Sequence, residues 1–351
     1  MIKVLVVDDS AFSRKIITKI LESIPDVHVV DTATDGQDAI KKTVRLRPDL
    51  ITLDLEMPLM NGFSFLRWLM NNIPTPVIVV SSQEAHENVF RALDYGALDF
   101  VVKPVRRASI ELEEIRADLI NKVMATPLLA VGRLKERSGQ LAAERTVSAQ
   151  SIIPKEPPLL VAIAASTGGP PAMQSIIKAL PANFEVPLFV AQHMPSGFTS
   201  LFAERLDKCT ALTVMEASDG LHVRPQHVYI APGGKHMTVE KEGAKFVVRI
   251  HPRAAYQARY IPSGNALFES LADQVESRCI AAILTGMGDD GKEGMVRVKE
   301  KGGTTIAESR STAIIFGMPQ EAIKAGVVDY VLPLPEIALA LYRLTARTQR
   351  R

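Results

Sequence analysis

Three aspartates and a lysine near the start of the chain have the residue types of a metal-assisted phosphoryl-transfer site. Asp8 and Asp9 follow the first apolar run, Asp54 follows the third, and Lys103 follows the fifth. Residues just past the carboxyl ends of parallel strands converge on one crevice of an open sheet. Carboxylates gathered there need a compensating cation, and hard oxygen ligands suit Mg²⁺. A carboxylate beside such a metal can itself become the nucleophile that forms an acyl phosphate.

A serine strengthens this interpretation. Ser81 ends the fourth apolar run, where its hydroxyl could bond a phosphoryl oxygen, and the ammonium of Lys103 would pair with the phosphoryl charge. Any one aspartate after a strand is commonly only a turn residue or a helix cap. The occurrence of all five residues at four strand ends favours a phosphoryl-transfer site over a set of unrelated turns and caps.

Ser166 lies between an apolar run and a glycine-rich turn. Leu159–Ala165 runs directly into Ser-Thr-Gly-Gly-Pro-Pro, and an amphipathic stretch follows. Small residues let the backbone turn sharply, and proline suits a first helical turn. The pattern predicts a serine beside the unpaired N–H groups of a helix N-terminus, which can stabilise an oxyanion. An anion site or a structural cap remains an alternative for this motif alone, although it has neither a Walker A lysine nor a G-x-G-x-x-G pattern.

A histidine and an aspartate pair could complete a Ser–His–Asp triad with that serine. His193 directly follows another apolar run, and His236 is a reserve candidate because its loop also follows a predicted strand. Asp289 and Asp290 follow the run Ile280–Leu284 in a glycine-rich turn, and spacing does not separate them. A triad requires one buried carboxylate that holds the imidazole in the correct tautomer. A lone histidine is more often structural. Three strand ends that are followed by a serine, a histidine and an aspartate together favour the triad.

Alternating strands and helices must position these residues. Short, nearly all-apolar runs alternate with amphipathic stretches, as expected for parallel strands covered on both faces. The alternation dissolves into a polar, proline-containing stretch and then resumes. We therefore predict an α/β protein: a (βα)5 doubly wound domain over residues 1–122, a linker over 123–157, and an α/β doubly wound, mainly parallel-sheet domain over 158–351. The predicted strands are Lys3–Val7, Val27–Val30, Leu50–Leu53, Val77–Val80, Phe100–Val102, Leu159–Ala164, Leu188–Ala191, Val228–Ile230 and Ile280–Leu284, with a hairpin around Gly243.

Composition excludes several classes of protein. With 351 residues, of which 47% are hydrophobic and 23% charged, the chain is typical of a globular protein of two domains. A formal charge of +2 gives no reason to expect nucleic acid as a ligand. The N-terminus does not have a signal-peptide pattern, and the apolar runs are far shorter than the about 20 residues that span a bilayer. We expect a cytoplasmic protein without membrane insertion.

The N-terminal motifs VVDDS, LDLEMP, VVSS and DFVVKP resemble a bacterial response-regulator receiver domain over roughly residues 1–122. The resemblance implies that Asp54 accepts phosphate from a histidine kinase, and that Asp9 and Asp54 ligate Mg²⁺ directly. It also implies that Glu56 contributes its backbone carbonyl and that Asp8 acts through water.

Two further positions match the switch of such domains. Ser81 and Phe100 correspond to the pair whose rearrangement reports phosphorylation. The resemblance thus implies that the receiver changes conformation when it is phosphorylated.

The C-terminal motifs IAASTGGP, QHMPSGF, APGGKHM, LTGMGDDG and IIFGMPQEA resemble the catalytic domain of the chemotaxis protein-glutamate methylesterase/protein-glutamine glutaminase (CheB) family. The resemblance selects Asp290 as the triad aspartate. It implies that the Met287 N–H is an oxyanion donor and that Thr167 lines the site. One stretch departs from the family, which usually has Arg-Pro-Ser-Val-Asp where this chain has Ile261–Asn265. The departure leaves the triad intact and makes the receptor substrate an open question.

The function expected from this resemblance is hydrolysis of glutamate γ-methyl esters on methyl-accepting chemotaxis receptors, with deamidation of receptor glutamines. A chemotaxis histidine kinase would supply the phosphate, and the esterase domain would need no cofactor. We further hypothesise that the unphosphorylated receiver covers the esterase cleft. The alternatives are a response regulator whose output domain binds receptors without catalysis, and a hydrolase of small esters. A DNA-binding output is disfavoured because neither a helix-turn-helix pattern nor a basic excess is found.

Overall fold

The computed structural model describes residues 1–81, 86–103, 109–126 and 159–346. The chain divides into two compact units, Met1–Glu144 and Arg145–Arg351. Most of the predicted linker, including the polar stretch at 138–150, lies outside the described residues. The predicted domain boundaries remain a prediction.

The first unit contains a five-stranded parallel sheet in the order β2-β1-β3-β4-β5. Helices and strands alternate along the chain, as the apolar runs predict. β3 is buried at all four positions, which explains why its sequence has no polar alternation. The strands are β1 (Ile2–Val7), β2 (Val27–Ala33), β3 (Leu50–Leu53), β4 (Val77–Ser81) and β5 (Asp99–Val102). The helices are α1 (Ala11–Glu22), α2 (Gly36–Leu46), α3 (Gly62–Asn72), α4 (His86–Asp94) and α5 (Ser109–Met124).

The second unit contains a seven-stranded parallel sheet in the order β14-β13-β12-β6-β7-β9-β8. A separate antiparallel hairpin, β10–β11, turns at Gly243, which has a φ of +61°. The strands are β6 (Leu160–Ala165), β7 (Leu188–Gln192), β8 (Thr213–Glu216), β9 (His227–Ile230), β10 (Lys235–Glu242), β11 (Lys245–Pro252), β12 (Cys279–Ile283), β13 (Thr304–Glu308) and β14 (Tyr330–Leu332). The helices are α6 (Gly169–Ala179), α7 (Phe198–Asp207), α8 (Gly264–Val275), α9 (Lys292–Glu300), α10 (Met318–Lys324) and α11 (Leu334–Ala346).

The α/β class and the hairpin are confirmed, and every predicted strand is present within two or three residues at its ends. The sequence did not reveal β8, β13 and β14. β8 and β14 lie at the two edges of the sheet and are partly exposed, so they have no continuous apolar run. β13 lies between β14 and β12 and is mostly buried, but it reads Thr-Thr-Ile-Ala-Glu, because hydrogen bonds within the fold satisfy its polar residues Thr305 and Glu308.

One core of the second unit lies between the sheet, α8 and the hairpin. It contains small and aliphatic residues of the central strands together with Leu267, Phe268 and Leu271 of α8 and Val239 of β10. This packing anchors the segment before α8 against the carboxyl ends of the central strands. Among the described helices, none is both long and apolar enough to cross a bilayer.

Candidate functional site

The carboxylates predicted at the strand ends of the first unit do converge. Single carboxylate oxygens of Asp8, Asp9 and Asp54 all lie within 4.8 Å of one another. Asp8 and Asp54 are buried and Asp9 is exposed. The ammonium of Lys103 lies 2.5 Å from Asp54 Oδ2 and 3.0 Å from Asp8 Oδ2.

The charge in this cluster is not balanced. One ammonium faces three carboxylates, and burial raises the pKa of Asp54 to about 6 although Lys103 acts in the opposite direction. Burial likewise raises the pKa of Asp8. A hard divalent cation would remove this electrostatic cost, so the oxygen donor set fits Mg²⁺.

Of the other predicted receiver residues, Ser81 and Glu56 contact members of this cluster, and Phe100 lies in a neighbouring strand. Ser81 is the last residue of β4 and is buried, and its carbonyl accepts from the Lys103 N–H at 2.6 Å. The Glu56 N–H donates to Asp54 Oδ1 at 3.3 Å, which places the Glu56 backbone beside the carboxylate. Phe100 is buried in β5.

Sequence reasoning missed Lys122 of α5. Its ammonium lies 5.2 Å from the centroid of the Phe100 ring and donates to the Phe100 carbonyl. It also pairs with Asp99 at 3.3 Å and with Asp118 at 3.0 Å. Burial acts to lower the pKa of Lys122, but the two carboxylates outweigh it and raise the pKa. A lysine on a helix gives no local signal of this contact, because the contact depends on how α5 packs against β5.

In the second unit, Ser166 directly follows β6. Its N–H donates to the Thr285 carbonyl at 3.0 Å, and its carbonyl accepts from the Gly169 N–H at 2.7 Å. Gly168 has a φ of +77°, which makes the sharp turn into α6 possible. The strand–turn–helix geometry predicted for this motif is therefore present.

Gly286 allows the loop after β12 to approach the serine closely. A Cβ atom at this position would lie 2.7 Å from Ser166 Cβ and 2.3 Å from Met318 Sδ. Any side chain there would displace one of these groups. The glycine in the LTGMGDDG motif is thus required by the close approach.

His193 and Asp290 meet although two different strands carry them. His193 directly follows β7, and its Nε2 lies 2.7 Å from Asp290 Oδ2. The His193 N–H donates to the Ala165 carbonyl at 3.0 Å, which fixes it beside the end of β6. Asp289 is exposed. The fold therefore separates two aspartates that spacing cannot separate.

The N-terminus of α8 holds Asp290. Its carboxylate accepts from Ser263 Oγ at 3.1 Å, from the Gly264 N–H at 2.6 Å and from the Asn265 N–H at 3.2 Å. Burial acts to raise the pKa of Asp290, but hydrogen bonds from His193, Gly264 and Asn265 outweigh it and the pKa is lowered. The carboxylate is thus ionised and held in one orientation.

These donors belong to the segment Ile261–Asn265, which the sequence interpretation sets apart from the family motif. Two of its three bonds to Asp290 come from backbone N–H groups, which do not depend on side-chain identity. Asn265 Oδ1 also accepts from the Gly294 N–H at 2.9 Å and caps α9. This holding role of the segment was not found from the sequence.

His236 does not take the place of the base. The prediction that it lies in a loop is wrong, because it is the second residue of β10 and is buried. Its Nδ1 accepts from the Ser263 N–H at 3.2 Å, and burial lowers its pKa. His236 therefore supports the segment that holds Asp290.

Thr167 and Met287 offer backbone donors near Ser166. Within the described ranges, neither N–H has a hydrogen-bond acceptor, and Ser166 Oγ has no hydrogen bond to His193. The Thr167 carbonyl accepts from Thr285 Oγ1 at 2.9 Å, which fixes its peptide. Two such N–H groups are the kind of donor that an oxyanion hole requires.

Gln192 connects the serine and the histidine and was also missed. Its Nε2 donates to the carbonyls of Ser166 at 3.0 Å and of His193 at 3.1 Å. Its position immediately before His193 was the available signal. The amide joins the ends of β6 and β7.

Known proteins share both units. Residues 161–341 match the family described as CheB methylesterase, and residues 4–113 match the response regulator receiver domain. A protein of Geobacter sulfurreducens named protein-glutamate methylesterase/protein-glutamine glutaminase 3 is 46% identical, covering 96% of this chain and 95% of that protein. A Myxococcus xanthus protein with the same name and the number 1 is 44% identical over 99% of this chain and 98% of its own length. The crystal structure of the Thermotoga maritima CheB methylesterase catalytic domain is 43% identical with a TM-score of 0.52, covering 53% of this chain and 98% of that chain.

Proposed function

The chain belongs to the CheB methylesterase family and is a receiver-regulated protein-glutamate methylesterase, and we propose that Ser166, His193 and Asp290 are its catalytic triad. The observation that carries this assignment is the 2.7 Å contact between His193 and Asp290 at strand ends on either side of Ser166. The substrates proposed are glutamate γ-methyl esters of methyl-accepting chemotaxis receptors.

The proposed reaction begins when Ser166 Oγ attacks the ester carbonyl. Because His193 Nε2 donates to Asp290, Nδ1 is the nitrogen that takes the serine proton. The N–H groups of Thr167 and Met287 stabilise the tetrahedral oxyanion.

The imidazolium then gives its proton to the departing methoxide, and methanol leaves. Water, deprotonated by His193, hydrolyses the acyl-enzyme and releases the glutamate carboxylate. With a glutamine substrate the same steps release ammonia. The proposed triad, the two backbone N–H groups and water account for every step, so we propose no cofactor for the esterase.

In the receiver, we propose that Asp54 accepts the phosphoryl group from a chemotaxis histidine kinase. Mg²⁺, held by Asp9 and Asp54, the Glu56 carbonyl and, through water, Asp8, would neutralise the negative charge of the phosphoryl group. Lys103 pairs with a phosphoryl oxygen, and the Ser81 hydroxyl binds another.

Phosphorylation changes the environment of the receiver switch. Movement of Ser81 towards the phosphoryl group is accompanied by rearrangement of Phe100 on the adjacent strand, which shifts the population towards active esterase. This is the link between the two units that the family implies.

The esterase and its regulation are tested together by methanol release from methylated receptor membranes. Asp54→Asn is expected to retain basal release and to lose stimulation by a small phosphodonor, because the nucleophile for phosphate is gone. The matched control is Asp49→Asn, since Asp49 is exposed and precedes β3 whereas Asp54 follows it. Stimulation that persists in Asp54→Asn would place the phosphorylation site elsewhere.

The close approach at Gly286 gives a separate prediction. Gly286→Ala is expected to lower kcat by about 100-fold, because a displacement of about 1 Å in a reacting group has this effect. Gly220→Ala is the control: a Cβ there meets nothing within 4 Å, and the backbone strain at its φ of +75° should lower stability without changing kcat. Steady-state methanol release measures both variants, and unaltered kcat in Gly286→Ala would mean that Ser166 does not depend on this contact.

A further inference from the structure

Tyr260 covers the imidazole of His193. The two ring centroids lie 5.0 Å apart and the rings are nearly parallel, with an interplanar angle of 3°. A Cβ placed on Gly288 would lie 2.0 Å from the Tyr260 hydroxyl oxygen, so this hydroxyl lies directly against the loop that carries Met287. One aromatic side chain therefore contacts both the proposed base and the proposed oxyanion loop.

Arg259 lies over the ring of Tyr260. Its guanidinium carbon is 5.4 Å from the ring centroid, and the side chain is exposed. In the part of the chain that the structure describes, Arg259 forms no ion pair with a carboxylate. The guanidinium of an exposed arginine thus lies over the same aromatic ring that stacks on His193.

A second arginine has the same arrangement. The guanidinium carbon of Arg310 lies 4.8 Å from the ring centroid of Phe316, and Arg310 is exposed. The backbone of Phe316 forms a β-bridge with Gly286, which contacts Ser166. Arg310 also forms no ion pair with any carboxylate of the described residues.

Stacking prepares these two guanidinium groups for recognition of an anion. A cation over an aromatic ring is attracted by the negative face of the ring, which reduces the side-chain freedom that binding would otherwise remove. The planar fork of arginine matches a carboxylate. Asp289 is an exposed carboxylate whose charge acts on Tyr260, and among the described residues it forms no salt bridge with either arginine.

The reaction itself supplies the matching anion. Each hydrolysed ester leaves a glutamate carboxylate, so a substrate with several modifiable glutamates has carboxylates close to the ester that remains. We propose that Arg259 and Arg310 bind carboxylates that flank the reacting ester, so that the enzyme prefers a glutamyl methyl ester within an acidic segment. This inference rests on the proposed function. If the arginines bind a carboxylate formed by one hydrolysis, hydrolysis at one position favours hydrolysis at the next.

The test compares two receptor fragments, each with one glutamyl methyl ester. In one fragment the flanking residues are glutamates, and in the other they are alanines, since flanking glutamines would be deamidated. Methanol release by the full-length phosphorylated enzyme gives kcat and KM for both. The wild type is expected to prefer the glutamate-flanked fragment, and 0.5 M salt should abolish the preference because it screens exposed charges.

The arginine variants should remove the preference selectively. Arg259→Gln and Arg310→Gln are each expected to raise KM for the glutamate-flanked fragment about three- to fivefold, as for an exposed ion pair. The alanine-flanked fragment should keep its kcat, KM and pH profile. Arg259→Lys should retain part of the preference, because it keeps the charge and loses the fork.

Arg224→Gln is the matched control. Arg224 is an exposed arginine that precedes β9, so it lies at the amino end of the strands and away from Ser166. An equal loss on both fragments would show that the arginines act only by positioning Tyr260 and Phe316, and would overturn the proposal. No loss on either fragment would also overturn it. If the wild type releases methanol from neither fragment, the proposed esterase function itself fails, and this result is distinct from the other two.

Discussion

Ser166→Ala is expected to abolish detectable methanol release from methylated receptors. Removal of the nucleophile from a serine triad lowers kcat by about 10⁶-fold, and only the contribution of binding and the oxyanion donors remains. The substitution removes a single oxygen from a half-buried side chain, so the fold should be retained. Methanol release under single-turnover conditions measures the loss.

The same variant should still accept phosphate, because Asp54 lies in the other compact unit. Ser218→Ala is the matched control: Ser218 is exposed and lies just beyond the carboxyl end of β8, an edge strand of the same sheet. We expect this control to retain full release. Full activity in Ser166→Ala would remove the triad assignment.

Asp290→Asn is expected to lower kcat by about 10⁴-fold, as for a triad whose imidazole is held in the wrong tautomer. An amide N–H facing His193 Nε2 would donate a hydrogen bond to it and so keep the proton of the neutral imidazole on Nδ1. That nitrogen could then no longer accept the proton of Ser166. Steady-state kinetics of methanol release test this effect, with rates compared between wild type and variant.

Asp289→Asn is the control that this site provides. The two aspartates are adjacent in sequence, but Asp289 is exposed and makes no contact with His193, whereas Asp290 is 3% exposed and makes four hydrogen bonds. We expect Asp289→Asn to retain the wild-type kcat. A similar loss in both variants would mean that the loop as a whole, and not the Asp290 carboxylate, is responsible.

The lowered pKa of Asp290 adds a prediction on stability for the same variant. A carboxyl whose pKa is lower in the folded than in the unfolded state stabilises the fold above the unfolded value of 3.8, and the stabilisation is lost as the pH falls through the folded value. Asp290→Asn should therefore lower the free energy of unfolding at neutral pH. The difference from wild type should shrink in acid, which denaturant unfolding at several pH values would measure.

Much of the molecule was predictable from local sequence. Nearly all-apolar runs such as β3 and β6 predict buried parallel strands, because a strand covered on both faces has no polar alternation. Parallel strands end at one edge of the sheet, so Asp8, Asp54 and Lys103 were expected at the same edge. The same reasoning placed Ser166 and His193 at strand ends. Whether a segment forms a buried strand depends mainly on its own residues, so local sequence patterns predict both the strand and the residues that follow it.

The order of the strands was decided by tertiary packing. β6 lies between β12 and β7, so Asp290 reaches His193 beside the strand that carries Ser166. Sequence adjacency does not determine which strands become neighbours. That choice depends on how the helices and strands bury their apolar faces together.

The tertiary structure also distinguished Asp290 from Asp289 on physical grounds. Gly288 and Gly291 have φ values of +89° and +87°, and these turns direct Asp290 into the interior and Asp289 towards solvent. The donors that hold Asp290 come from Ser263–Asn265, more than 20 residues earlier in the chain. Thus the sequence by itself determined which residue types stand at the strand ends. Only the fold decided which of them touch, because those contacts join segments that are distant along the chain.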